Sequence, residues 1–303
     1  MQVAKSLFIV GVGRSGTSLL QSIIGTHSCV EVVPETSFLR RYVYNKHLTW
    51  DRLYDDQTLL RLPSLISAIN NCQNERSRMI WAYKNTLLHS SKKNYVLDKD
   101  PRLIEYIDLL NLTNTDCKII LIRRDPRDVL LSKKLAKWSK GRTILSYLMA
   151  SYIQLSDGWH HRNDKNFHLI DYELLLQEPK RQLQKLCHFL ELEFESNMLN
   201  FQETSKKLIQ KDELSWKKET MQPLLASNFG KWKDALTDVE AHASFLVAKS
   251  ADPSISISEE LNHNLVTKFK SLLLLNIVKI MAIPYRFQRK KNQDLVKSEI
   301  VND

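Results

Sequence analysis

The sequence predicts an α/β protein in which a central, mainly parallel β-sheet is flanked by helices. Short β-type runs alternate with longer segments of helical periodicity along most of the chain. The first such run, residues 7–12, is continuously apolar, as is typical of a strand buried on both faces. With only 7 Gly and 8 Pro in 303 residues, collagen-like and linker-rich designs are excluded.

The strands are predicted from short apolar runs that end at polar or turn-forming residues. The second run ends at Pro34, which cannot donate a backbone hydrogen bond to a sheet. A helical pattern follows each run, so the strands are expected to form βαβ units with helices on both faces of the sheet. The predicted strands are Ser6–Gly11, Val30–Val33, Tyr95–Leu97, Lys118–Ile122 and Phe167–Ile170.

The helices are predicted from apolar residues that recur on one helical face. In the clearest case, Leu183, Leu186, Cys187 and Leu190 share a face. Residues 251–258 are the best candidate break, so we expect a main domain over residues 1–250 and a C-terminal helix with a basic tail over residues 251–303. The predicted helices are Thr17–Thr26, a Leu- and Ile-rich helical segment Asp55–Ser90, Arg102–Leu112, Val129–Trp138, Ile144–His161, Arg181–Leu192 and the tail helix Glu259–Lys291.

The composition narrows the class of protein and of ligand. The chain is 43% hydrophobic and 26% charged, which argues against disorder. Its net charge of +10 suits a basic soluble protein, or one that meets an anionic ligand or surface. The four cysteines are widely spaced with no CxxC pair, so we expect reduced thiols, no metal site and a cytoplasmic location. No signal peptide or membrane-spanning run stands out.

The first glycine-rich loop, residues 11–18, joins the first predicted strand to the first helix. Backbone N–H groups at such a junction, together with the helix N-terminus, form an anion site. The three glycines of the loop match the dinucleotide pattern GxGxxG, and Glu31 or Glu35 stands where the ribose-binding acid is expected. A strand-to-helix turn without a ligand is the remaining alternative.

The same loop also nearly matches the nucleotide P-loop, GxxxxGK[ST]. Gly11, Gly16 and Ser18 occupy the right positions, but position 17 is Thr instead of Lys. Because that lysine normally reaches the β- and γ-phosphates, ordinary ATP or GTP hydrolysis is disfavoured. A P-loop kinase or NTPase remains the alternative function, and the cation nearest to the loop is Arg14.

A second basic junction follows the fourth predicted strand. Arg124 ends the strand, and Ser132 lies two turns into the next helix, so the two side chains can converge on one phosphate. The alternative, favoured for Arg127, is a solvated loop in which Asp125 and Asp128 pair with the arginines. Two separate phosphate-type sites suit a ligand with phosphates at both ends of a nucleoside.

Taken together, these motifs resemble the PAPS-dependent sulfotransferases, and most closely the branch of tyrosylprotein and bacterial sulfotransferases. PAPS is 3′-phosphoadenosine 5′-phosphosulfate, and PAP is the product left after sulfuryl transfer. The resemblance covers roughly residues 5–235 and implies the P-loop-like sulfotransferase fold. It rests on Arg14-Ser-Gly-Thr-Ser18, Pro34-Glu35-Thr36, Lys99-Asp100-Pro101, Arg124 with Ser132, His168-Leu-Ile-Asp-Tyr172-Glu, Glu178-Pro179 with Phe189-Leu190, and Gly230-Lys231-Trp232.

The resemblance implies transfer of a sulfuryl group from PAPS to a hydroxyl or amine, with no metal required. Glu35 would act as general base, while Arg14 and Lys99 would stabilise the transition state. Glu35 as a helix-capping acid and Lys99 as a partner of Asp98 or Asp100 stay open as structural alternatives. The expected donor-binding residues are Arg14, Ser15, Gly16, Thr17, Ser18, Arg124, Ser132, Tyr172 and Lys231, with Ser227 a weaker candidate.

The sequence departs from the hormone-type sulfotransferases, since it has neither their His base nor their C-terminal Arg-Lys-Gly motif, and His27 is not expected to replace that base. The acceptor is not identified. Residues 40–90 and 140–160 are expected to shape its pocket, and the aromatics Tyr42, Tyr44, Trp50, Trp81 and Tyr83 either line it or belong to the core. The candidate partners are a second copy of the chain, in a homo-oligomer, and a membrane surface that the basic tail contacts weakly. No nucleic acid is expected as a partner. A non-enzymatic polyanion-binding protein is a further alternative.

Overall fold

A five-stranded parallel sheet forms the centre of the molecule. The computed structural model describes residues 3–45, 53, 59–70, 72, 75–136, 141–209, 213, 217–256 and 264–302. The strands are β1 (Lys5–Gly11), β2 (Val30–Val32), β3 (Tyr95–Lys99), β4 (Lys118–Arg123) and β5 (Phe167–Asp171). Their order in the sheet is β2-β3-β1-β4-β5. The predicted fold class is confirmed.

β1 lies in the middle of the sheet and sets its register. Ile9 pairs with Lys99 on one side and with Ile120 on the other. Because all the pairs are parallel, every strand ends at the same edge of the sheet. β2 and β3 lie on one side of β1, and β4 and β5 lie on the other, so the strand order reverses at β1. Ligands of open α/β sheets bind at the carboxyl edge near such a reversal.

The helices cover both faces of the sheet. The α-helix Arg76–Lys84 continues directly into a π-helical turn, Asn85–His89. The α-helices are α1 (Thr17–Ile24), α2 (Pro63–Ile69), α3 (Arg76–Lys84), α4 (Ile107–Thr113), α5 (Pro126–Leu135), α6 (Ile144–His160), α7 (Tyr172–Gln177), α8 (Pro179–Phe189), α9 (Gln202–Leu208), α10 (Asp238–Ala251) and α11 (Leu265–Asn302).

The strands match the sequence predictions more closely than the helices do. β3 and β4 extend beyond the predicted ends, to Lys99 and Arg123. Where the predicted helical segment 55–90 is described, it forms several short helices, including α2 and α3. The predicted helix from Arg102 begins as a 3₁₀-helix, Pro101–Tyr106, which the Asp100 carboxylate caps. α5 begins at Pro126 with Asp125 as its cap, while Trp138 lies outside the described residues.

Two apolar cores sandwich the sheet, and the alternation of β1 assigns its residues to them. Leu7 and Ile9 pack with α1, α7 and α8, whereas Phe8 and Val10 pack with the helices that precede and follow β3. All four side chains are fully buried. Burying each one stabilises the fold by about 1.5–3 kcal/mol, which fixes β1 and the loop after it against the sheet.

The tail helix α11 packs along the domain. Val278 is buried with residues of α6 and α10, and Val296 belongs to the core beside β1. Arg289 makes a bidentate pair with Asp157 at 2.6 and 2.9 Å, and the Tyr285 hydroxyl donates to Glu105 at 2.6 Å. The predicted start of this helix, residues 259–263, lies outside the described residues, and the division into residues 1–250 and 251–303 stays a prediction.

Within the described ranges, we find no helix that combines the length and the apolar character needed to cross a membrane.

Candidate active site

The first loop crosses the carboxyl edge of the sheet between β1 and α1. Gly16 has φ = 100°, in the left-handed region, and a Cβ atom there would lie 2.5 Å from the Tyr172 ring. Arg14 also has a positive φ, of 80°. The first turn of α1 carries no acidic residue, so its N–H groups without intrahelical acceptors leave a positive helix end facing the loop. Local geometry therefore supports the predicted anion site.

A first cluster brings together two arginines and a serine from separate elements. Arg14 Nε donates to Ser132 Oγ at 2.9 Å. The Arg124 guanidinium lies 4.5 Å from the centre of the Tyr172 ring, and 3.7 Å from Asp128. The loop, the end of β4, α5 and the start of α7 thus meet at one place. Most of the predicted donor residues line a single cavity there: Arg14, Gly16, Thr17, Ser18, Arg124, Ser132 and Tyr172.

The electrostatics of this cavity favour an anion. Burial, and then the charge of Arg124, lower the pKa of Arg14, which means that both disfavour the charged form of the Arg14 guanidinium. A bound phosphate would offset both penalties. The opposite wall carries Glu219, whose carboxylate accepts from Asn228 Nδ2 at 3.2 Å and from Lys231 Nζ at 2.7 Å.

Three of the predicted donor residues, one of them the weaker candidate, do not line the cavity. The Ser15 Oγ atom is buried beneath the loop and has no hydrogen-bond partner among the described residues, while its N–H donates to the Val12 carbonyl at 3.0 Å. Lys231 is about half exposed and contacts the outer side of Glu219. Ser227, the weaker candidate, is exposed. The structure therefore places these three residues around the cavity and not in it.

A second cluster lies at the end of β3. Lys99 is only 2% exposed. Its Nζ atom donates to the Glu35 carboxylate and, at 3.2 Å, to Ser18 Oγ. The neighbouring acids have other partners, since Asp100 pairs with Arg40 at 2.6 Å and Asp98 accepts from Tyr83 at 2.9 Å. Lys99 is thus the partner of the predicted base, and not of Asp98 or Asp100.

A second lysine, Lys217, completes this cluster. Its Nζ atom lies 3.9 Å from Glu35 and also pairs with Glu213. Burial raises the pKa of Glu35, but the charges of Lys99 and Lys217 outweigh burial and hold that pKa below its usual value. Burial, and then the charge of Lys99, lower the pKa of Lys217. Glu35 is therefore ionised at neutral pH, as a proton acceptor must be.

Sequence reasoning missed Lys217, Glu219 and Asn228, all of which line the cavity wall opposite the loop. They stand in a stretch with no strand–loop–helix junction and no apolar periodicity, so no pattern marks them. His27 is not among the residues that line the cavity. It is 4% exposed, and its Nε2 atom contacts the Glu193 carbonyl at 2.8 Å. It serves the packing behind α1.

A second cavity, of about 560 Å³, borders the other side of the loop at Gly13. Apolar side chains of α6 form much of its wall, including Met149, Ala150 and Ile153, and Arg102 and Tyr285 close it. Lys133 also lines it; burial, and then the charge of Arg142, lower the pKa of Lys133 to about 7. Residues 140–160 were predicted to shape the acceptor pocket, and several of them line this cavity. This cavity is therefore the candidate for that pocket.

The aromatic residues of the 40–90 region fall mainly in the core. Tyr42, Tyr44 and Tyr83 are buried in the core on the β3 side of the sheet. Trp81 is 62% exposed on α3, and Trp50 lies outside the described residues. Of the two interpretations that the sequence left open for these side chains, core packing holds for the three tyrosines.

Comparison with known proteins supports a single family. The chain is 23% identical over 210 residues to protein-tyrosine sulfotransferase 1 of Danio rerio, covering 65% of this chain and 56% of that protein. It is 22% identical over 268 residues to protein-tyrosine sulfotransferase A of Caenorhabditis elegans, covering 82% of this chain and 67% of that protein. A match to an uncharacterized protein of Aquifex aeolicus, 22% identical and covering 67% of this chain, spans only 27% of that protein's length.

The fold has a counterpart among solved structures. The sulfotransferase domain from the Synechococcus PCC 7002 olefin synthase matches with a TM-score of 0.56 and 16% identity, over 91% of this chain and 95% of that one. At this identity the match supports the fold alone. The model of the Sulfotransferase family matches residues 6–196, a range that includes both clusters except Lys217 and the opposite wall. With well over half of its length matched, the chain belongs to the sulfotransferase family.

Proposed function

We propose that this protein transfers a sulfuryl group from PAPS to a hydroxyl or amine acceptor and releases PAP. The observation that carries the proposal is the convergence at one sheet edge of an arginine–serine cluster with the Glu35–Lys99 pair, with the loop between them. Such a layout suits a donor that has a phosphate at one end and a reactive phosphosulfate at the other.

The donor is held from two sides. Arg124 and Ser132 offer charge and hydrogen-bond donors to the 3′-phosphate. Because Arg14 Nε donates to Ser132 Oγ, we place Arg14 at this phosphate as well, and not at the transferring sulfuryl group as the sequence predicted. Gly16, Thr17 and Ser18 open α1, where the backbone N–H groups of the helix N-terminus receive the 5′-phosphosulfate. Tyr172, which packs between Gly16 and Arg124, keeps these two parts of the site in fixed relation.

The chemistry is an in-line displacement at sulfur. The acceptor oxygen or nitrogen forms a bond to sulfur while the bond from sulfur to the bridging oxygen of PAP breaks, and PAP leaves with that electron pair. Lys99 lies where it can stabilise the sulfuryl oxygens and the charge that builds on the bridging oxygen. Glu35, ionised between two lysines, takes the proton of the acceptor. None of these steps requires a metal ion.

The acceptor is expected in the second cavity, beside Gly13 and Arg102. Gly13 belongs to the first loop and Arg102 follows Lys99 by three positions, so this cavity borders two of the segments that supply the proposed reaction centre. Its apolar α6 wall suits an acceptor with a hydrophobic body.

A thermal-shift experiment tests the proposal against the kinase or NTPase alternative. PAP without magnesium is expected to raise the melting temperature, while ATP with magnesium has little effect. The Arg124→Ala protein is expected to show a much smaller response to PAP, whereas Arg181→Ala, which alters a surface arginine that pairs with Glu178, keeps the full response. A larger shift with ATP and magnesium than with PAP would contradict the proposed donor.

A further inference from the structure

The outward face of the tail helix α11 is apolar over much of its length. The exposed fractions of its side chains include 70% for Phe269, 67% for Ile280, 68% for Ile283 and 74% for Phe287. We call this face the apolar stripe; it consists of Leu265, Phe269, Leu272, Ile280, Ile283 and Phe287. The exposed Asn276 interrupts it between Leu272 and Ile280. Large exposed apolar side chains in one row are unusual on a monomer and mark a contact surface.

The apolar stripe is separate from the side of α11 that packs on the domain. The packed side is formed by residues such as Leu275, Val278 and Ala282, which are at most 8% exposed. At 100° per residue, Phe269 and Phe287 point in the direction opposite to Val278. The stripe is about 33 Å long at the α-helical rise. Folding of the domain therefore leaves this face uncovered.

The charges beside the apolar stripe all have one sign. Residues 264–293 contain no Asp or Glu. Lys268, Lys270, Lys279, Lys290 and Lys291 are exposed along the same stretch. An apolar helical face flanked by lysines is the pattern of a helix that lies in the interface of an anionic bilayer.

We propose that α11 docks this protein on an anionic lipid surface, with the apolar stripe buried in the headgroup region and the flanking lysines on lipid phosphates. Pairing of the stripe with the same helix of a second copy is disfavoured, because it would bring lysines against lysines with no acid in the stretch to neutralise them. An anionic bilayer supplies both the apolar medium and the negative charge that this face lacks. The inference does not depend on the proposed activity.

Vesicle co-flotation of the full chain tests this docking. Vesicles of phosphatidylcholine mixed with phosphatidylglycerol, whose negative surface potential attracts polybasic segments, are compared with pure phosphatidylcholine vesicles. The full chain is expected to float with the mixed vesicles at least several-fold more than with the neutral ones. The triple variant Phe269→Ser, Ile280→Ser, Phe287→Ser is expected to lose this binding.

Leu135→Ser serves as the matched control, because Leu135 is an apolar side chain, 74% exposed, on α5 and outside the stripe. It is expected to float like the unaltered protein. Thermal unfolding of each variant checks that these exposed positions leave the fold intact. Equal flotation with both kinds of vesicle, or full flotation of the triple variant, would overturn the proposal. A dimer in sedimentation equilibrium that the triple variant abolishes, without vesicle binding, would assign the stripe to a second copy instead.

Discussion

Replacing Gly16 with Ala perturbs the loop at the point where it meets the rest of the site. The φ of 100° is unfavourable for any residue with a Cβ atom and costs about 1–2 kcal/mol. The new methyl would also lie 2.5 and 2.8 Å from two atoms of the Tyr172 ring, so the ring must move. That movement weakens its contact with Arg124, at 4.5 Å, which is worth about 0.5–2 kcal/mol.

We therefore expect Gly16→Ala to lower the free energy of unfolding by about 2–4 kcal/mol. We also expect it to weaken PAP binding about tenfold, because Arg124 loses the ring that positions it. Urea unfolding and isothermal titration calorimetry measure the two effects. Gly13→Ala is the control in the same loop, since its Cβ atom would meet nothing within 4 Å. A Gly16→Ala protein with normal stability and normal PAP affinity would refute this account of the loop.

Three further predictions concern the chemistry and the surroundings of the site. Glu35→Gln is expected to lower turnover roughly 10²–10⁴-fold with unchanged PAP affinity, and to abolish the acidic limb of the pH–rate profile. In the unaltered protein the acidic limb is expected at a lower pH than an ordinary glutamate gives, because the pKa of Glu35 is lowered. Lys99→Ala is also expected to slow turnover but to keep the acidic limb, which moves to higher pH because Glu35 loses the charge of Lys99. Burial raises the pKa of Asp98 to about 7, so the folded state keeps the Asp98 proton and loses stability as the pH rises from about 4 to 7. This loss amounts to at most about 4 kcal/mol of the free energy of unfolding. Urea unfolding of Asp98→Asn over the same pH range is expected to lack it. Ala150→Trp, which fills the second cavity, is expected to raise the acceptor KM in a PAPS-dependent transfer assay and to leave the calorimetric affinity for PAP unchanged.

The parts of the site that follow strands were predictable from the sequence. Arg14, Glu35, Lys99 and Arg124 each stand at or just after the end of a strand, and a parallel sheet brings such positions to one edge. Their meeting follows from strand order and not from any single motif. The loop and the arginine junction also carry recognisable residue patterns, which is why the sequence predicted most of the residues that line this one cavity.

The remaining parts depend on tertiary packing that leaves no local pattern. Lys217 reaches Glu35 across 182 positions of the chain, from a segment with no helical or strand periodicity. The burial of the Ser15 hydroxyl depends on how the loop folds over Gly11, which the motif does not specify. The segment 55–90 has a helical pattern rich in Leu and Ile, but its described residues form several short helices, and the pattern does not mark where one ends and the next begins.

The binding of PAP compared with AMP tests the central claim most directly, because the two ligands differ only in the 3′-phosphate. Calorimetry of the unaltered protein is expected to show roughly tenfold to hundredfold tighter binding of PAP than of AMP, the contribution of a charge-assisted contact. Arg124→Ala is expected to bring PAP down to the affinity of AMP and to leave AMP binding nearly unchanged. Equal affinities for PAP and AMP in the unaltered protein, or an equal loss for both ligands in Arg124→Ala, would contradict the assignment of the donor site.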